Sequence, residues 1–321
     1  MIRHSVPAVL TAAILFMAAA SLAPLGQAES QTQPGKSGQT NQNGNQRIGV
    51  LTVRLPISVK EKNKFVGGLT ENNFQVFENG KPQKIEGFQA PSQLPLDVAI
   101  LMDTSESVKL KLPFEKDAAE DFVSAITTYR RRDNVLFATF DSDVELHQDF
   151  TPNQELLITA IKRVKAGGYT KLYDAIYRVI EEKMANTQSA ESRRVILMLS
   201  DGADTASQRT LKDAIEMAQR YDVSIFGIST KNFTGITSGM VENADDKEMR
   251  RLCEETGGQL FLPSQKAELF RAFEQVAHDL RQEYIVFYTP DDQEHSAKRR
   301  IIRVKLTGAQ GHLYHKLGYV Y

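Results

Sequence analysis

The sequence predicts an α/β fold in which a doubly wound, mostly parallel sheet is inserted in a smaller β-sandwich-like domain. Three observations predict it. From residue 96 to about residue 280, short apolar runs alternate with segments whose apolar residues recur at helical spacing. Two of those runs, residues 98–102 and 195–199, are apolar without interruption, the mark of strands covered on both faces. Finally, residues 47–92 and 283–321 are β-rich, but neither has enough strands to bury a core alone. They are therefore expected to pair with each other around an inserted domain spanning residues 96–282.

Taken in order, the chain opens with Arg3, an almost wholly apolar stretch over residues 6–22, and Gly26-Gln-Ala28. Residues 1–28 read as an export signal cleaved after Ala28, with an uncleaved membrane anchor as the alternative. Either reading places the remainder outside the cytoplasm, in the periplasm or secreted. Residues 29–46 are Gln, Asn, Gly, Ser and Thr with a Pro, a composition expected of a flexible linker.

Residues 48–55 and 74–77 read as strands, and Asn79-Gly80 as the turn of a hairpin. Pro91 and Pro95 mark the boundary before the central strand. Ala118, Phe122, Ala125, Ile126 and Tyr129 outline a helix, followed by a strand at 134–140 and a shorter one at 144–147. Leu157, Ala160, Ile161 and Val164 outline the next helix, and Leu172, Ile176, Val179 and Ile180 another. After the strand at 195–199, Thr210 and Asp213 form a capping-box pattern that opens a helix through Met217. Strands at 223–228 and 259–262 enclose a helix around residues 248–255. Leu269, Phe270, Phe273, Val276, Ala277 and Leu280 outline the last helix. Alternating strands are expected at 283–288, 300–306 and 313–321. No internal repeat is present.

Composition narrows the function. The 321 residues carry a net charge of −1, so the basic patch that usually marks nucleic-acid binding has no support. The single cysteine, Cys253, excludes an internal disulfide and a cysteine-based zinc site, and is expected to be a small buried apolar side chain. None of the six histidines falls in the three segments 103–107, 167–170 and 200–202, and His312 and His315 are expected at the surface. There is neither a glycine-rich phosphate loop nor a serine nucleophile elbow, so no catalytic base is in evidence and an enzyme is not expected.

Chemistry concentrates where the central strand ends. Asp103-Thr-Ser-Glu-Ser107 sets a carboxylate and two hydroxyls at alternate positions, hard oxygen donors that suit Mg²⁺, Mn²⁺ or Ca²⁺. Gly167-Gly-Tyr-Thr170 precedes a helix, and Ser200-Asp-Gly202 ends a strand. Ligands of open α/β sheets sit beyond the carboxyl ends of the strands, where these segments are expected to converge. Each motif alone is an ordinary turn or helix cap. Their joint order and placement carry the signal.

The triple resembles the metal-ion-dependent adhesion site of von Willebrand factor type A (VWA) domains, which are Rossmann-like in fold. The resemblance covers residues 96–282, and the flanks look like those of secreted bacterial proteins that carry such a domain. It implies that Ser105, Ser107 and Thr170 ligate the metal directly, and that Asp103 and Asp201 act directly or through water. It further implies a protein partner that presents an Asp or Glu to complete the shell. Asp174 could orient Thr170 from one helical turn away. Glu106 stands where bacterial members usually have Gly; it can face solvent, raise metal affinity, or repel an acidic ligand. Asp141, Asp143 and Asp204 are further loop carboxylates near the motif, Asp204 being read as a turn residue.

The expected function is an exported, non-enzymatic binding or adhesion protein that grips its partner through a divalent cation. The alternatives are a metal-dependent hydrolase and a structural or assembly factor of the cell envelope, in which the metal only staples loops.

Overall fold

A computed structural model describes residues 52–91, 94–129, 132–185, 192–202, 204–231, 244–292 and 298–320. The proposed export signal and linker lie outside the described residues. The amino-terminal flank supplies β1 (Val53–Glu61), β2 (Lys64–Phe65), β3 (Phe74–Glu78), β4 (Lys81–Gln83) and β5 (Ile85–Gln89). Asn79 and Gly80 join β3 to β4 with φ of 48° and 82°. Both are left-handed, which is the geometry a tight Asn-Gly hairpin turn demands.

The central region runs β6 (Leu96–Asp103), α1 (Leu112–Tyr129), β7 (Asn134–Phe140), β8 (Val144–Thr151), α2 (Gln154–Arg163), α3 (Leu172–Val179), β9 (Arg193–Ser200), α4 (Leu211–Arg220), β10 (Val223–Ser229), α5 (Ala244–Thr256), β11 (Leu260–Phe261) and α6 (Lys266–Asp279). These strands form one sheet in the order β11-β10-β9-β6-β7-β8, parallel throughout except for the antiparallel edge pair β7–β8.

All eight residues of β6 are buried, the apolar run 98–102 together with Leu96, Asp97 and Asp103. Successive side chains of a strand point to opposite faces. Val98, Ile100 and Met102 accordingly pack with Phe122 of α1, Leu157 of α2 and Phe273 of α6. Ala99 and Leu101 pack on the other face with Ile176 of α3, Ala214 of α4 and Leu252 of α5. This two-sided covering is the doubly wound α/β arrangement that the sequence predicts. Thr210 closes its capping box, accepting from Asp213 N at 3.2 Å while Asp213 Oδ2 accepts from Thr210 N at 2.8 Å.

The carboxy-terminal flank supplies β12 (Tyr284–Tyr288), β13 (Arg299–Leu306), β14 (His312–Tyr314) and β15 (Gly318–Val320). Strands of the two flanks pair directly. One sheet has the order β14-β1-β12-β5, with β2 beside β1; the other is β15-β13-β3-β4. Leu55, Ile57, Phe74, Val76, Tyr284, Val286 and Ile302, drawn from both sheets, share one apolar core. Buried ion pairs join the flanks to the central region. Arg193 of β9 meets Glu283 at 2.7 Å, and Lys60 of β1 pairs with Asp279 of α6.

The structure departs from the sequence expectations at several elements. The first strand runs to Glu61 rather than ending at Leu55. The helix after Thr170 continues from α3 into a π-helical turn at Ile180–Met184. β8 extends to Thr151, which pairs with Val135 of β7. Where one alternating strand is expected over residues 313–321, residues 312–320 supply two short strands, β14 and β15, in different sheets. The chain between them crosses the central region, where Lys316 Nζ donates to Asp222 Oδ1 at 2.7 Å and Leu317 N to Glu255 O at 3.2 Å. His315, expected at the surface, is therefore buried, with Nδ1 2.8 Å from Lys316 O. His312 is exposed. Cys253 is fully buried, and burial pushes its thiol pKa far up, as befits an inert apolar side chain.

Candidate metal centre

Three loops meet beyond the carboxyl ends of β6 and β9. The loop after β6 and the loop before α3 are joined by Gly167 N donating to Thr104 O at 2.7 Å and Glu106 N to Gly168 O at 3.2 Å. The loop after β9 is tied to the loop before α3 by Thr205 N donating to Thr170 O at 2.9 Å. The end of β9, from which that loop leaves, is tied to the end of β6 by Ser200 Oγ donating to Asp103 Oδ2 at 2.7 Å. Gly168 also lets the loop before α3 lie against the turn between β7 and β8: at φ +91°, an added Cβ would lie 2.8 Å from Ser142 Oγ.

Within this edge, the Oγ atoms of Ser105 and Ser107 are 2.9 Å apart. Asp103 is fully buried, and its Oδ1 accepts from Ser105 N at 2.9 Å. Both oxygens of Asp103 thus already serve the protein. Burial, with a smaller push from the Asp201 charge, raises its carboxyl to about 6 against the hydrogen bonds that lower it. Thr170 is 4% exposed and Asp201 9%; Asp201 Oδ1 is buried without a hydrogen-bond partner. An orphaned buried carboxylate oxygen is costly unless a donor or a cation reaches it. Among the described residues, no group of three or more His, Cys, Asp or Glu side chains is placed to hold a metal ion. A cation at this edge would accordingly depend on hydroxyl oxygens, with Ser105, Ser107, Thr170, Asp103 and Asp201 as the groups that could hold it.

The residues β6 to α6 match the family model described as von Willebrand factor type A domain, over residues 97–277. The chain belongs to this family. No curated protein sequence matches it. Solved structures similar to this VWA chain include proximal thread matrix protein 1 from the mussel byssus, at 16% identity and a TM-score of 0.47, covering 58% of this chain and 48% of that one. BatB from Bacteroides thetaiotaomicron aligns at 13% identity and a TM-score of 0.44, covering 57% of this chain and 98% of that one. The vWF domain of the type V pili tip protein Mfa5 from Porphyromonas gingivalis aligns at 12% identity and 0.45, covering 58% and 95%. The chain thus spans about half the length of the mussel protein.

The neighbouring carboxylates of the VWA site have partners of their own. Asp174 does not turn to Thr170: its carboxylate accepts from Gln208 N at 3.1 Å and Arg209 N at 2.9 Å, bracing the approach to α4. Glu106 is exposed and accepts from Lys109 Nζ at 2.7 Å, which corresponds to the solvated reading. Asp204 Oδ1 accepts from Leu172 N at 2.8 Å and so caps α3. Asp141 Oδ2 accepts from Thr104 Oγ1 at 3.2 Å, and Asp143 pairs with Arg178 at 3.1 Å.

Sequence reasoning passed over Ser200 and Glu115. Ser200 had a usable signal, a hydroxyl at a strand end beside Asp201. Glu115 had none, since a glutamate in the first turn of a helix is common.

Proposed function

We propose that this VWA chain is an exported, non-enzymatic binding protein. Asp103, Ser105, Ser107, Thr170 and Asp201 hold a divalent cation, Mg²⁺ or else Mn²⁺ or Ca²⁺, that engages an Asp or Glu of a protein partner. The observation that carries the reading is the hydrogen-bonded convergence of three loops, one of which carries the paired serine hydroxyls, with Asp103 consumed by Ser105 N and Ser200 Oγ. Neutral hydroxyls outnumber the carboxylates free to ligate, so a bound cation keeps attraction for an outside acid. Leu110 and Tyr169, on two of these loops, are 88% and 73% exposed and are apolar side chains that a partner at this edge would meet. Export is supported by the apolar segment at residues 6–22; among the described residues, no helix is long and apolar enough to cross a membrane.

Pull-down from an envelope extract, with and without EDTA, tests the reading. A partner that is captured in Mg²⁺ and lost in EDTA or with Asp103→Ala supports it. Capture that survives both treatments removes the metal from the interface, and phosphoester turnover abolished by Asp201→Ala would replace binding with hydrolysis.

A further inference from the structure

Glu115 sits in the first turn of α1, 1% exposed, and neither carboxylate oxygen has a hydrogen-bond partner. Four groups face it. The Thr230 hydroxyl, just beyond β10, approaches without closing a hydrogen bond and is itself unpartnered. Lys111, 8% exposed, attracts the carboxylate, while Asp103 and Asp201 of the site repel it. An isolated buried carboxylate is among the most expensive groups a fold can hold, and two like charges nearby raise that cost. A fold that keeps such a group beside a cluster of oxygen donors offsets the cost either by retaining the proton or, when the carboxylate is ionised, by holding a cation.

We infer that Glu115 is a positioning residue of the metal centre: a third buried carboxylate, outside the five-residue motif, whose negative charge strengthens cation binding at the Asp103–Asp201 edge. The inference rests on the proposed metal-binding reading. Glu115 makes no contact with the cation in this account; it acts through the field it adds to Asp103 and Asp201. In the metal-free protein the same charge is a liability. Burial first, then the Asp103 and Asp201 charges, push its carboxyl up to about 8 against the opposing pull of Thr230 and Lys111. Charge that destabilises the empty site and favours the filled one distinguishes this role from simple packing, which would help both.

The test is calorimetric titration of the full chain with Mg²⁺ at pH 8.5, together with melting in EDTA and in Mg²⁺, for wild type and Glu115→Gln. The expected result is Mg²⁺ affinity reduced by roughly 10-fold or more, the scale seen when a group supporting metal ligands is lost. The melting temperature in EDTA should rise at the same time. Lys111→Met is the mirror image, expected to tighten Mg²⁺ binding and lower the melting temperature in EDTA, and it keeps the test open if Glu115→Gln does not fold. Wild-type binding with Mg²⁺ affinity unchanged in both variants overturns this inference and leaves the metal reading standing. Absence of binding by wild type to Mg²⁺, Mn²⁺ and Ca²⁺ overturns the metal reading, and this inference with it.

Discussion

Ser200 Oγ donates to Asp103 Oδ2 at 2.7 Å, joining the last residues of two neighbouring parallel strands, both of them fully buried. The bond sets the orientation of Asp103, whose other oxygen is held by Ser105 N. It thereby couples the motif after β6 to Asp201 after β9. Loss of the hydroxyl would leave a buried carboxylate oxygen unmet.

Ser200→Ala should therefore destabilise the protein by about 1–3 kcal/mol. Urea unfolding in EDTA measures this. Mg²⁺ titration of the same variant should show weaker binding, because Asp103 is no longer held in place.

Glu115 makes stability in EDTA depend on pH. Its carboxyl is raised from the ordinary 4.5 to about 8, with Asp103, Asp201 and Lys111 facing it. Between those values the unfolded chain has released the proton and the folded chain retains it. The Glu115 contribution is therefore most favourable below pH 4.5 and is lost as pH rises to 8, with a slope of up to about 1.4 kcal/mol per pH unit. Glu115→Gln should remove this contribution, as unfolding curves at a series of pH values would reveal.

Leu110 and Tyr169 have little to lose on folding, since 88% and 73% of their surfaces stay in solvent. Changing both to Ser should shift stability by no more than about 0.5 kcal/mol. Capture of the partner should nevertheless weaken strongly if these side chains form its apolar contacts. Melting curves beside the Mg²⁺-dependent pull-down separate the two effects.

Lys60 and Asp279 form a buried pair that also engages Gln259 and Gln275. Lys60→Met should cost about 3–5 kcal/mol, because it strands the Asp279 charge between α6 and β1. Adding Asp279→Asn should recover much of that loss. Equal instability of the single and double variants in urea would show that packing, not charge, governs the junction.

Parts of the site were legible because they are local. A strand covered on both faces carries an unbroken apolar run through its middle, and β6 and β9 announce themselves that way. Asp103, Ser105 and Ser107 follow one such run, while Thr210 and Asp213 sit at the spacing a capping box needs. Asp174 was misread for the same reason: its neighbour one helical turn back is Thr170, whereas its true partners, the amides of Gln208 and Arg209, are 34 and 35 residues away. His315 looked like a terminal surface residue until the crossover between β14 and β15 carried it across the central region.

By itself, then, the sequence determined the α/β class, the order of strands and helices, and the oxygen-bearing segments at strand ends. Hydrophobic period and turn chemistry act over a few residues and can be read from any window of the chain. Tertiary structure alone decided that Ser200 serves Asp103, that Asp201 keeps an unmet oxygen, and that Glu115 lies buried near both carboxylates. Those relationships arise when distant segments exclude water from the same small volume, and no local pattern records which charges will be left facing one another.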